Sequence, residues 1–398
     1  MDFEARKIIE ALRSGIPTRT IGGYFGSARM ELLADIAEWL DAKTGGGKIL
    51  TASYGEGKTH LLNTVFGMAR AKNMVVSMVS LSRETPFNNL YQTYHKIAQN
   101  TYLPNREQSG FDSLIANMEP GKMAELQLYA AKGLQSDKLY YLLKAYCNTD
   151  DPNIKFSLLA DLQGDFIANA QLKKIFKDLF AEKIVFSTNF AKSRHTWDYI
   201  QFLDRLFELS GLSGWIILFD EAEHIGRLGR VSRFNAYTNM SRFLLAENCN
   251  VLSLFTMTSN YAMQVIDGKK ERDYLAAAEG IDSVMIEEAL IRIETATELP
   301  PLERQEFMEV LAKIVDFHSR AYEWKPGVDI YELCDIAWST GYYLRTKIRV
   351  AIEYLDQLFQ YGGAGNVGAG ELDQEVYPDD VGDDENFCEE DAIILNSI

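Results

Sequence analysis

The spacing of apolar residues switches between two periods along this chain, and the switches mark its elements. Residues 28–42 place Leu32, Leu33, Ile36 and Leu40 on one helical face. Gly45-Gly46-Gly47 ends that run. The short apolar stretch Lys48–Ala52 predicts a strand, a glycine-rich turn follows, and residues 59–72 return to helical spacing. Asn73–Leu81 is short and rich in Val and Met, as a strand buried on both faces should be. Strand, loop, helix and strand in that order open an α/β unit with a parallel sheet. Strand signals return at Trp215–Asp220 and Val251–Thr258, and one more is predicted over Ile293–Leu299. Between about 86 and 210 the pattern is helical almost throughout. Residues 301–322 and 328–361 are helical again, and residues 1–20 predict a short amphipathic helix ending at Ser14-Gly15-Ile16-Pro17.

These elements predict a helix over 1–20 and an α/β core over 21–300, interrupted by a helical insertion at about 105–205. A C-terminal helical domain follows over 301–361. Residues 362–398 join a flexible Gly-rich linker (GGAGNVGAG) to an acidic tail too poor in apolar residues to bury a core. At roughly 150 residues per domain, 398 residues suit two or three folding units. No apolar run approaches the roughly 18 residues of a membrane span, and the acid-bearing start lacks the apolar core of a secretion signal. The four cysteines are scattered without a C-x-x-C pair, so a reducing cytoplasm is the expected location and no zinc site is suggested.

The net charge is −17, but eleven carboxylates lie between Glu371 and Asp391, and without them it would be −6. The body is only mildly acidic. Tight DNA binding needs clustered Lys and Arg; Arg227, Arg230, Arg233 and Arg242 either form such a patch, for nucleic acid or a neighbouring subunit, or make an ordinary solvated face. Tyr140 with Leu143 and Phe202 with Leu206 sit at helical spacing and read as core.

The sharpest chemistry lies in Ala52-Ser53-Tyr54-Gly55-Glu56-Gly57-Lys58-Thr59. The phosphate-loop pattern G-x-x-x-x-G-K-[ST] is met at Gly57, Lys58 and Thr59, with Ala52 in place of the first Gly. Backbone N–H groups from Ser53 to His60 would wrap a phosphate at a helix N-terminus, with Gly55 and Gly57 supplying the backbone freedom. Lys58 would reach the β- and γ-phosphates of ATP, and Thr59 would ligate Mg²⁺. Downstream, the apolar strand Trp215–Asp220 ends in Asp220-Glu221-Ala222-Glu223. Strand ends at the carboxyl edge of a parallel sheet face the ligand crevice. There Asp220 suits Mg²⁺ and Glu221 suits polarising the attacking water. Acids after a strand also cap helices, and Glu223 and His224 read as surface or helix-start residues. Thr258 or Asn260 could orient water near the γ-phosphate, or merely end a strand. Arg345, with Arg349 as competitor, could reach the phosphates from the next helix. Arg292 is either an arginine finger toward a neighbouring subunit or a strand-edge Arg.

In this order the phosphate loop, the DEAE strand, the TSN strand and the GYYLR helix resemble the AAA+ ATPase plan, nearest its Orc/Cdc6-like and STAND-like branches. More narrowly, IIEALRSGIPTRTIGGYFG, ASYGEGKTHLLNTV, GLSGWIILFDEAEHI, ELPPLERQEFMEVLAKIVDFHSRAY and GYYLRTKIRVAIEYLD resemble the P-loop ATP-binding proteins of BREX-type phage-defence loci, the BrxD-like group. The resemblance covers most of residues 6–360 and is weak inside 105–205. It implies an AAA+ P-loop fold, a parallel sheet flanked by helices, with a helical lid or winged-helix-like domain at the C-terminal side. It also implies a Walker A at Gly55–Thr59, a Walker B at Asp220–Glu221, sensor 1 near Thr258–Asn260 and sensor 2 at Arg345. The activity implied is Mg²⁺-dependent ATP hydrolysis in a homo-oligomer or in a complex with other defence proteins, with DNA as a candidate partner and no membrane. A regulatory switch with little hydrolysis, or a DNA-filament regulator resembling TniB or TnsC, is the alternative. The segment Gly22–Arg29 matches only loosely the glycine-arginine-glutamate element that precedes adenine in STAND-like proteins.

Overall fold

A computed structural model describes residues 2–15, 24–25, 29–42, 44–277 and 283–363. Of the linker and acidic tail read over 362–398, all but residues 362–363 lie outside the described residues, as does most of Gly22–Arg29.

Six strands, β1 (Gly46–Ala52), β2 (Val75–Ser80), β3 (Thr101–Tyr102), β4 (Trp215–Asp220), β5 (Leu252–Thr258) and β6 (Thr297–Glu298), form one sheet in the order β3-β2-β4-β5-β1-β6. All pairings are parallel except β2 with β3. The strand period explains the layers. Trp215, Ile217 and Phe219 face one core together with Val75, Val79, Phe255 and Met257. Ile216 and Leu218 face the opposite core with Val76, Leu252, Leu254 and the helix Lys58–Ala71. A sheet covered on both faces gives the near-continuous apolar strands seen in the sequence.

The first core extends without a break into the helices of 112–180 and the long helix Lys192–Leu209. Tyr94 and Tyr199 meet edge to face there at 5.4 Å. At its centre lies a buried charge pair. The Lys138 ammonium donates to Asp161 at 2.6 Å and to the Ile167 carbonyl at 3.0 Å, while the Tyr199 hydroxyl donates to the other Asp161 oxygen at 2.5 Å. The Lys138 cation also lies 4.2 Å from the centre of the Phe190 ring.

A third, separate core joins the two ends of the described chain. The helix Phe3–Ser14 buries Ala5, Ile8 and Ile9 against Arg304–Tyr322, Ile330–Thr340 and Leu344–Tyr361. Arg13 holds Asp356 through both carboxylate oxygens, with a shortest contact of 2.8 Å. Among its described residues the C-terminal region is helical and contains no strand. Of the two forms expected there, the structure shows the helical one and not the winged one.

Two sequence expectations change. The strand predicted over Ile293–Leu299 is shorter than expected: the helix Ser283–Glu294 takes its first two residues, and only Thr297–Glu298 pairs with β1. The reason is periodicity, because Ile286, Ala289, Leu290 and Ile293 are buried at helical spacing. The stretch read as helical from 86 to 210 also contains β3, an antiparallel edge of two residues.

Replacing Lys138 by Met leaves the Asp161 charge buried without its counter-ion. Such a loss destabilises by about 3–5 kcal/mol, and urea unfolding of the variant is expected to read that drop. A Lys138→Met/Asp161→Asn pair should recover part of it.

Candidate nucleotide-binding cleft

Strand register sets the geometry of the site. Ala52 pairs with Thr258 and Ser80 with Asp220, so β1, β2, β4 and β5 end at one carboxyl edge. β1 and β4 are not neighbours; β5 lies between them. The loop after β1 turns through two left-handed residues, Gly55 (φ +80°) and Gly57 (φ +91°), and Gly57 caps the helix that opens at Lys58. A side chain at Gly55 would also meet Tyr343 at 3.3 Å. The first N–H groups of that helix have no partner further up it, which makes its start a site for anions.

Asp220 is the hub. It is 4% exposed and accepts from Thr59 Oγ1 at 2.5 Å, Thr256 Oγ1 at 2.7 Å and the Glu221 N–H at 3.0 Å. Lys58 donates to the carbonyls of Ala52 at 3.0 Å and Ser53 at 3.3 Å. Burial lowers its affinity for a proton, against the pull of the Glu223, Asp220 and Glu221 carboxylates. Glu221 occupies the left-handed region (φ 56°, ψ 38°), uncommon for a residue with a long side chain. Its carboxylate accepts from Ser80 Oγ at 2.6 Å.

The cleft is walled on its far side by the helical lobe, through Ala11, Leu12, Leu302, Val310, Leu344 and Ile348. Arg345 also lines it; its N–H donates to the Gly55 carbonyl at 3.2 Å and its guanidinium to the Tyr54 hydroxyl at 3.0 Å. Arg29, 8% exposed, donates to the carbonyls of Pro300 at 2.7 Å and Glu56 at 2.9 Å. Burial lowers its pKa, and Glu56 and Glu306 act in the opposite sense. His60 contacts the Phe25 carbonyl at 3.4 Å, and its pKa is lowered by burial and by Arg29.

The structure thus brings together Tyr54, Gly55, Gly57, Lys58, Thr59, His60, Asp220, Glu221 and Arg345 around one cleft. Ser53 sits beside it, 3.5 Å from Ser259, and Glu56 accepts the Leu344 N–H at 3.4 Å. Thr258 ends β5 beside Ala52, and Asn260 holds the following turn through its carbonyl; neither is among the lining residues. Arg292 is not on a strand edge: it lies on the exposed face of the helix Ser283–Glu294, 2.8 Å from Glu288, outside its own chain's cleft. The four-arginine patch does not form. Arg233 is buried against Glu271 at 2.6 Å, Arg242 pairs with Glu247 at 3.4 Å, and Arg230 covers the Tyr274 ring at 3.3 Å.

Sequence reasoning missed Thr256, Ser80 and the lining role of Glu223. Alternation gave a signal for Thr256, a polar residue inside an apolar strand two positions before its end. For Ser80, standing at the end of the strand beside β4, no local signal existed.

A family model of the BREX system ATP-binding protein BrxC/D matches residues 2–119 and 123–353. No curated protein matches the chain. Among solved structures, a Walker-type ATPase of Pyrococcus abyssi is similar at a TM-score of 0.36 and 13% identity, over 81% of this chain and 67% of that one. At that score the likeness carries no inference about this site.

Replacing Glu221 by Gly removes the left-handed strain and one of three neighbouring carboxylates. The expected gain is about 0.5–1 kcal/mol, read as a higher urea midpoint with an unchanged slope.

Proposed function

The chain belongs to the BREX system ATP-binding protein BrxC/D family, and we propose that it binds ATP with Mg²⁺ in this cleft and hydrolyses it to drive a conformational step in a defence complex. One observation carries the reading. The Thr59 hydroxyl and the Asp220 carboxylate converge within 2.5 Å at the start of a helix whose first residue is Lys58. Hard oxygen ligands beside a positive helix end suit a metal-bound polyphosphate. No cluster of three or more His, Cys, Asp or Glu among the described residues forms a metal cage of its own. That suits Mg²⁺, which keeps several waters and leans on substrate phosphates.

The roles follow from position. The loop amides and Lys58 bind the β- and γ-phosphates. Thr59 and Asp220 hold the ion, which when bound neutralises charge on the phosphate oxygens. Glu221, beyond Asp220, orients the attacking water and accepts its proton. The apolar wall of the lobe takes the base, with Arg29 and Arg345 at its two edges. Thr258 or Asn260 in a sensing role, and Arg292 completing the site of a second copy, belong to the assembled form of this reading.

Three contacts favour a slow, regulated enzyme. Lys58 is held by loop carbonyls, Glu221 by Ser80 and Arg345 by Tyr54. Each must break for its proposed role.

Two measurements test the proposal. Glu221→Gln should bind ATP within about twofold of wild type while phosphate release falls by about 10²–10³; equal turnover in both proteins rules out the catalytic role. Ser80→Ala frees Glu221 and should raise basal phosphate release severalfold; a slower variant rules out the restraint.

A further inference from the structure

The cleft holds a third carboxylate that the proposed reaction does not use. Glu223 lies on the short 3₁₀ turn Ala222–Arg227 and lines the cleft with Lys58, Thr59, Asp220 and Glu221. Its neighbours have their donors: Asp220 has three and Glu221 has Ser80. Glu223 Oε2 is buried and has none. A buried acceptor without a donor carries a real cost, so its persistence needs a reason.

The turn cannot carry this side chain away. Ala222, Ile225 and Gly226 are all buried. Gly226 is packed so closely on Val265 that a side chain there would come within 2.7 Å of its methyl group. Glu223 is therefore held facing Lys58, the residue that reaches the terminal phosphates in the proposed function. Lys58 donates to the Ala52 and Ser53 carbonyls, and no carboxylate lies within 4.0 Å of it among the described contacts.

Resting on the ATP reading above, we infer that Glu223 sets the preference between triphosphate and diphosphate: a fixed negative charge beside the place of the terminal phosphate, whose repulsion Lys58 must offset. A diphosphate ends short of that charge and does not meet it. A triphosphate is held against it, and the cleft is biased toward releasing phosphate once the terminal bond is cut. Like charges in a water-poor site repel far more strongly than in water, so one charge changes the ratio of two affinities measurably. Burial raises the pKa of Glu223; Lys58 and its own backbone N–H act in the opposite sense, and the Asp220 and Glu221 carboxylates add to the rise.

The experiment is calorimetric titration of the full chain with Mg²⁺ and either ADP or a non-hydrolysable ATP analogue. Glu223→Gln is expected to tighten the triphosphate analogue about fivefold or more, under 1.4 kcal/mol per tenfold, with ADP within about twofold of wild type. Glu223→Ala is expected to move the ratio in the same direction, which separates charge from shape, and thermal melting reports whether each variant is folded. Equal changes for both nucleotides, an unchanged ratio, or weaker triphosphate binding in both variants overturns the inference while leaving the ATP reading in place. Absence of binding by either nucleotide to the folded wild type overturns both.

Discussion

Everything at this site is referred to one buried carboxylate. Asp220 closes β4, yet the phosphate loop follows β1, two strands away across β5. Hydrogen bonds from Thr59, at the start of the helix after β1, and from Thr256, on β5, tie the three elements at a single side chain. A carboxylate at 4% exposure is stable only if such donors replace its water. These two donors, with the Glu221 N–H, also fix its orientation. The loop, the acids and the lobe then take their places relative to it: Glu221 one residue on, Glu223 on the next turn, Lys58 one residue before Thr59.

How much of this was legible in sequence depends on how local each feature is. The loop was legible because Gly55, Gly57, Lys58 and Thr59 lie within five residues, and each has a stated physical task. The β4 strand was legible because a sheet covered on both faces demands an unbroken apolar run. Ser80 was not: it meets Glu221 across 141 positions, through a β2–β4 pairing that no single-sequence pattern encodes. Nor was the union of the first and last described helices, made by Arg13 and Asp356 across 343 positions. Where a prediction was met only in part, at Ile293–Leu299, two signals competed. Isoleucine favours strands, but the buried face of Ser283–Glu294 repeats at helical spacing, and packing decided the outcome.

The union of the first and last described helices matters for how a ligand would act. Among the described residues, polar contacts between the lobe and the sheet side include the Arg345 N–H on Gly55, the Leu344 N–H on Glu56, Arg345 on Tyr54, the Arg29 N–H on Glu306 and His60 on the Phe25 carbonyl. Its own core is separate from the two cores of the sheet. Two bodies with independent cores and a thin polar seam can shift as units, because packed interiors resist internal deformation more than seams do.

Charge decides the direction of such a shift. The sheet side of the cleft presents Asp220, Glu221 and Glu223 around the single ammonium of Lys58. That side alone is net negative, so a polyphosphate there would lean on the bound metal and the start of the helix Lys58–Ala71 for positive charge. The additional cations, Arg29 and Arg345, come from outside the sheet: one from the segment before β1, bonded to the lobe through Glu306, and one from the first turn of the lobe's last helix. A nucleotide in this cleft would gain further positive charge from both, beyond the helix start and the bound metal. Its phosphates would therefore draw the lobe onto the sheet, and loss of the terminal phosphate would weaken that draw. Under the proposed function, charge balance of this kind would couple hydrolysis to the position of the lobe.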